Sequence, residues 1–464
     1  MSLSNKKANC GNKIDRISDF PSNVIDGILE HLNIRDRVRT SILSKKWRYI
    51  WTSFPRLEFD RNFFDLYDGD SDSDAEGPLD ISRIITEVLL LHNGPIHKFT
   101  LLMHSDFNIK VACLVKWILF LSRKGVKDIQ LVNDRYLFCR VPSHLFSCQE
   151  LTHVQICKFN MSVPHNFCGF KSLLRLHLEQ IKFELGALES VISDCPLLEE
   201  LCILNCSGYE CVDLSAVPSS YSQVYRDEVS GLNDILPKIQ RLTMGLDSKM
   251  LYADIINPMP LICLKYLKLN TVNLDQREEL LHIVSLLKSA SNLVELVIET
   301  CDKDYKTQVP DRAEELECSS WCLSQLLTVN IKAKTNFKHV LSLIRFILAN
   351  SSLLKTLTLN IDLGYKKSDV PILFSISRDL LWMERASQRA HIEVLHQAID
   401  NHFRDYRRRE RDALQDWLQV QAKQHRQQHG NAAMYGKNQQ EECSNATWTL
   451  PVITNIIAMA LEHV

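Results

Sequence analysis

An apolar residue, two residues of any kind, a second apolar residue, one of any kind and a third apolar residue recur ten times along the chain. The two fullest copies are Leu198-x-x-Leu201-x-Ile203-x-x-Cys206 and Leu293-x-x-Leu296-x-Ile298-x-x-Cys301. The others start at Ile96, Val126, Leu151, Leu173, Ile239, Leu264, Leu326 and Leu354. Each unit predicts one short strand whose alternate side chains enter a core it cannot close alone, so neighbouring units must stack. Between the strands, helical spacing of apolar residues runs over 81–91, 114–123, 185–193, 277–290 and 337–350. Strand plus helix per unit predicts an α/β horseshoe solenoid over 81–390, its parallel strands on the concave side. One long step, from Leu198 to Ile239, contains the Ser- and Tyr-rich stretch 215–237, where either a long loop interrupts the solenoid or part of it is missing or degenerate.

The ends of the chain are patterned differently. Residues 1–12 are polar and expected to be disordered, while 13–60 reads as a small, all-helical bundle. There Ser22, just after Pro21, can cap a helix, and Val24, Ile25, Ile28, Leu29 and Leu32 fall at helical spacing. After a break at Asn33, Val38, Ile42, Leu43, Trp47 and Trp51 continue that spacing through a basic stretch, Arg35, Arg37, Arg39, Lys45, Lys46 and Arg48. A bundle of this size is near the lower limit for independent folding. Residues 65–80 form an acidic loop, and 391–464 read as a charged tail, helical or disordered, with Arg407, Arg408, Arg409 and Arg411 clustered.

At 464 residues the chain exceeds one compact core. Its formal net charge of −2 gives no global reason to expect nucleic acid as a partner. The N-terminus has no secretory apolar core, and the apolar stretch near Leu450 to Leu461 is too short to span a bilayer, so no membrane is expected. The 15 cysteines are odd in number and form no C-x-x-C pair, which favours reduced, structural thiols over disulfides or zinc. Asp72, Asp74, Glu76 and Gly77 imitate a calcium loop, but its twelfth position is Arg83, and His425 with His429 lack a third ligand. Phosphate-loop, nucleophile-elbow and zinc-protease motifs are absent, so neither a cofactor nor catalysis is expected.

The N-terminal module resembles an F-box. Phe20-Pro21 stands where that family begins with Leu-Pro; Val24-Ile25-Asp26-Gly27-Ile28-Leu29 follows, then Ile42-Leu43-Ser44-Lys45-Lys46-Trp47-Arg48. With the repeats, and with Glu317-Cys318, Ile344-Arg345-Phe346-Ile347-Leu348 and Leu353-Leu354-Lys355 in a segment at about 315–365, the chain resembles plant F-box/leucine-rich-repeat/FBD proteins. The resemblance implies a substrate receptor of an SCF-type ubiquitin ligase, acting in cytoplasm or nucleus. The F-box would dock on a Skp-type adaptor, which tethers it to a cullin and a RING protein. The repeats would bind an unidentified target protein.

On that reading the adaptor-binding candidates are Phe20, Pro21, Ile25, Ile28, Leu29, Leu32, Val38, Ile42, Leu43 and Trp47. The basic stretch would steer the module onto an acidic adaptor. Target-binding candidates, at positions alternating with the apolar ones, are Arg175, His177, Glu200, Lys265, Lys268 and Glu295. The alternative is a non-catalytic repeat scaffold acting without the ligase.

Overall fold

A computed structural model of the protein describes residues 20–65, 80–107, 109–208, 238–245, 260–274, 277–301, 322–334, 337–361 and 370–396. The N-terminal twelve residues, nearly all of the acidic loop with its calcium-like motif, the 215–237 stretch, the Arg and His clusters and the tail beyond 396 lie outside them. The chain divides into two compact units, Met1–Ile235 and Leu236–Val464.

The first unit opens with α1 (Ser22–Glu30) and α2 (Ile34–Arg39), followed by 3-10 turns at Thr40–Ile42 and Trp47–Ser53. Pro21 is the N-cap of α1, so Ser22 is the first helical residue and not the cap. After the first helix ends at Glu30, Asn33 caps the second, its Oδ1 accepting the Asp36 N–H at 2.9 Å. Helices this short are marginal alone and depend on packing. Ile25 and Leu29, one turn apart on α1, close on Trp47 and Phe54, with Leu32 and Ile50 against the edge.

The strands follow, numbered along the chain: β1 (Arg56–Phe59), β2 (Lys98–Met103), β3 (Asp128–Asn133), β4 (Cys139–Arg140), β5 (His153–Cys157), β6 (Phe159–Met161), β7 (Arg175–Glu179), β8 (Lys182–Phe183) and β9 (Glu200–Leu204). Strands β1, β2, β3, β5, β7 and β9 pair in that order, all parallel. Helices α3 (Arg61–Asp65), α4 (Ile81–Leu91), α5 (Val111–Leu121) and α6 (Ala187–Ile192) serve the returns. The short strands β4, β6 and β8 form a second parallel sheet that the apolar pattern does not announce.

In the second unit β10 (Arg241–Gly245), β11 (Tyr266–Val272), β12 (Glu295–Thr300), β13 (Thr328–Ala333), β14 (Thr356–Ile361) and β15 (His391–His396) pair in order, again parallel. Helices Arg277–Ser289, Phe337–Asn350 and Val370–Leu381 connect them.

Each of the ten predicted repeat starts lies two residues before a strand, and all ten side chains are buried. Two strands extend the pattern. Phe54-x-x-Leu57-x-Phe59 is a further copy that forms β1, so the sheet begins inside the stretch assigned to the helical bundle. At the other end β15 begins at His391, where the sequence suggested a charged tail. It pairs with β14 over six residues. Arg389 occupies the first apolar position of that copy, which hides it; Ile392 is nevertheless buried. The FBD-like segment is, in its described part, one more strand–helix–strand repeat, with Ile344, Phe346, Ile347 and Leu348 inside.

Candidate functional site

Helix α1 carries two adjacent apolar stripes. Ile25 and Leu29 face the core, while Val24 and Ile28, displaced by one residue, are 40% and 38% exposed. Phe20 and Pro21 precede them on the surface, and Ile42 and Leu43 lie exposed at the end of the 3-10 turn after α2, Ile42 at 87%. Leu32 and Val38 are half-buried. Of the ten adaptor-binding candidates, Phe20, Pro21, Ile28, Ile42 and Leu43 are therefore free of the bundle core. Ile25, Leu29 and Trp47 are not: their exposures are 3%, 0% and 1%. They hold the bundle together and are corrected from interface to core. Val24 was absent from the predicted set because every apolar residue of α1 fits one helical arc, and the pattern does not say which edge is covered.

The basic stretch also divides. Arg37 is buried, its Nε donating to the Leu29 carbonyl at 2.7 Å and an Nη to the Arg56 carbonyl at 2.8 Å. Its guanidinium sits 4.1 Å from the Phe54 ring centre. Burial lowers its proton affinity below the ordinary arginine value, and nearby Glu58 pulls the other way. From so high a starting point the group stays charged. Arg37 thus does not steer a partner; it ties the end of α1 to β1, and Arg56 completes the tie with Glu30 at 2.9 Å. The His92 ring meets the Phe54 carbonyl at 3.0 Å, and Asn93 N–H donates to the Thr52 carbonyl at 3.0 Å. Bundle and first repeat share one packed seam. The exposed cations that remain are Arg39, Lys45, Lys46 and Arg48.

The second surface is the strand face turned away from the core. Arg175 on β7 stands in register with Glu200 on β9, and His177 with Cys202. His177 Nε2 lies 3.4 Å from Glu179 Oε2. In the second unit Glu295 registers with Tyr266, and Lys268 reaches Glu299 at 3.1 Å. Arg241 stacks on Tyr266 at 3.9 Å from its ring centre. Lys265 does not belong with them. It precedes β11 and lies three residues from Lys268, whereas side chains on one strand face recur every second residue. Tyr266 takes the place predicted for it.

Burial raises the Cys148 thiol to about 12 and the Cys157 and Cys206 thiols to about 11. These sulfurs stay protonated and poorly nucleophilic at neutral pH. Cys206 acts structurally: its Sγ accepts the Ile181 N–H at 3.4 Å and faces the Leu178 carbonyl at 3.5 Å, stitching its turn to the previous repeat. Among the described residues no group of three or more His, Cys, Asp or Glu is placed to hold a metal ion. No described helix is long and apolar enough to cross a membrane.

The arrangement defines a class: a small helical docking module fused to a stack of leucine-rich strand–helix repeats. Comparison with known proteins agrees. Residues 17–59 match the F-box domain, and residues 114–233 match the repeats described as "FBD-associated F-box protein At5g56370, LRR repeats". The chain is 30% identical over 432 residues to F-box/FBD/LRR-repeat protein At1g13570 of Arabidopsis thaliana, covering 83% of this chain and 99% of the relative. It is 26% identical over 459 residues to the Arabidopsis putative F-box/FBD/LRR-repeat protein At1g66290, covering 83% and 95%. The chain belongs to the plant F-box/FBD/LRR-repeat family. Members of such F-box and repeat families are generally non-catalytic substrate receptors.

Proposed function

We propose that this protein is the target-binding subunit of an SCF-type cullin–RING ubiquitin ligase, working in cytosol or nucleus. Its F-box docks on a Skp-type adaptor, which brings cullin, the RING protein and the charged E2. Its repeats hold the target. The supporting observation is the second apolar stripe of the N-terminal module. Ile25, Leu29, Trp47 and Phe54 already close a core, yet Phe20, Val24, Ile28, Ile42 and Leu43 stay exposed. Burying one such aliphatic side chain against a partner gains roughly 1.5–3 kcal/mol. A few in a central patch are enough to anchor an interface.

The test is a pull-down of the full chain with a purified Skp-type adaptor, beside an Ile28→Asp/Ile42→Asp variant. Both positions are exposed, so the variant keeps its fold and its melting curve. Binding at micromolar strength or tighter, lost in the variant, supports the receptor reading. Absence of binding by folded wild-type protein leaves a repeat scaffold that acts without the ligase.

A further inference from the structure

The register of the first unit sorts its outward side chains into three rows across the strands. The row at the strand starts is Arg56, Lys98, Asp128, His153, Arg175 and Glu200. The middle row is Glu58, Thr100, Gln130, Gln155, His177 and Cys202. The row at the strand ends is Leu102, Val132, Cys157, Glu179 and Leu204, all half-buried and four of the five apolar. The face therefore grades from mostly charged, through mostly uncharged polar, to mostly apolar over four residues of strand. The second unit shows no such grading: at its strand ends Gly245 registers with Asn270, and, beyond a register shift between β11 and β12, Glu299, Lys332, Asn360 and Leu395 form a row.

Geometry selects what fits such a face. Five strand spacings of about 4.8 Å give it a length of roughly 24 Å, and its three rows span about 13 Å. An α-helix of about 16 residues has that length, and its diameter of about 10–12 Å matches the width. Its pitch of about 5.4 Å places close to one turn on each strand. An extended peptide repeats its side chains on one side every ~6.8 Å and loses step with the strands. The charges are also suited to a near-neutral partner: Arg56, Lys98 and Arg175 stand among Glu58, Asp128, Glu179 and Glu200. Two of the cations are engaged, Lys98 with Glu58 at 2.9 Å and Arg56 with Glu30 at 2.9 Å. A nucleic-acid backbone would need an excess of cations that is not there.

We propose that the outward strand face of the first unit binds an amphipathic helix of the target protein. The helix lies across the strands, its apolar stripe along Leu102, Val132, Cys157 and Leu204. Its polar flank follows Asp128, Arg175 and Glu200. This rests on the target-binding reading above and names the kind of segment the repeats capture.

A displayed library of random 16-residue peptides, selected on the full chain bound to its adaptor or alone, tests this. Winners carry apolar residues at i, i+3 or i+4 and i+7, and in fluorescence anisotropy a Leu102→Asp/Val132→Asp variant loses at least tenfold in affinity. A charge-swapped Arg175→Glu/Glu200→Arg variant, which keeps the neighbouring pair, selects stripes flanked by the opposite charges. No enrichment, winners with period-two or no apolar pattern, or affinity unchanged in the Asp variant each overturn the proposal. Melting curves and adaptor binding of every variant are measured alongside. Adaptor binding without peptide selection removes this inference alone, whereas peptide selection without adaptor binding removes only the ligase reading.

Discussion

The N-terminal module and the repeat stack use apolar residues in opposite ways. In the ten predicted repeats, the three apolar positions of each motif go inward without exception, and the sheet shows mainly polar side chains outward. In the module, α1 has one apolar stripe inside and a second in water. The repeats satisfy their apolar residues by stacking on their own neighbours, so their motif is a statement about stability. The module's surplus has no covering neighbour among the described residues, which is what the proposed docking on another protein would use.

The sharpest way to break that comparison is a pair of substitutions one residue apart. Leu29→Asp places a carboxylate at a site of 0% exposure with no partner. It is expected to cost about 4 kcal/mol or more and to unfold the module. Ile28→Asp, on the exposed stripe, should stay within about 0.5 kcal/mol of wild type in urea denaturation while removing adaptor binding. If both destabilise equally, the two stripes are not distinct. On the repeat side the matching substitution is Gly169→Ala. Gly169 has φ +83°, and a Cβ there runs into the backbone of Asp194. The expected loss is about 2–3 kcal/mol, with adaptor binding retained.

A smaller effect probes where the two regions meet. Arg37→Met keeps the length of the side chain but deletes both carbonyl contacts, leaving the Leu29 and Arg56 carbonyls without this donor. A loss of about 2 kcal/mol is expected. Hydrogen exchange should quicken in α1 and β1 together, because the tie belongs to both. Faster exchange in α1 alone would show that the bundle and the first repeat are separate folding units.

The contrast also explains what could be read in the residue order. A motif repeated ten times announces its strands, because each copy is constrained by the next and the first apolar residue of each is always buried. β1 escaped because Phe54 closely follows Trp47 and Trp51, which stand at helical spacing, and so fell within the stretch 13–60 assigned to the bundle. β15 escaped because Arg389 breaks the motif and the residues around it are charged. In α1, side-chain type alone could not separate Ile25 and Leu29 from Val24 and Ile28. What sorts them is the position of Trp47, and that is set by the chain turning back at Asn33. Arg37 misled for a related reason: an arginine among five other cations looks solvated until two carbonyls are found beside its guanidinium. Alternation placed Arg175, His177 and Glu200 on the outward strand face, but the graded rows exist only once the register between strands is known.

The same seam predicts a pH dependence, the smallest effect of the set. His92 is 3% exposed and meets the Phe54 carbonyl. Burial is the main cause that holds its proton affinity below the ordinary 6.5; the Phe54 carbonyl opposes this, and Lys124 reinforces it. The unfolded chain therefore takes up a proton on His92 at a higher pH than the folded protein does. The stability due to a neutral His92 is complete above about 6.5 and is lost as the pH falls below that value towards the lower folded one. His153 is shifted the same way, chiefly by burial and then by Arg175, and adds to the slope. A series of melting temperatures between pH 7.5 and 5 should fall with acid, and a His92→Gln variant should fall less steeply by about one titrating group. Equal slopes would mean that the seam opens before the histidine titrates, and would locate the weak point of the module's attachment there.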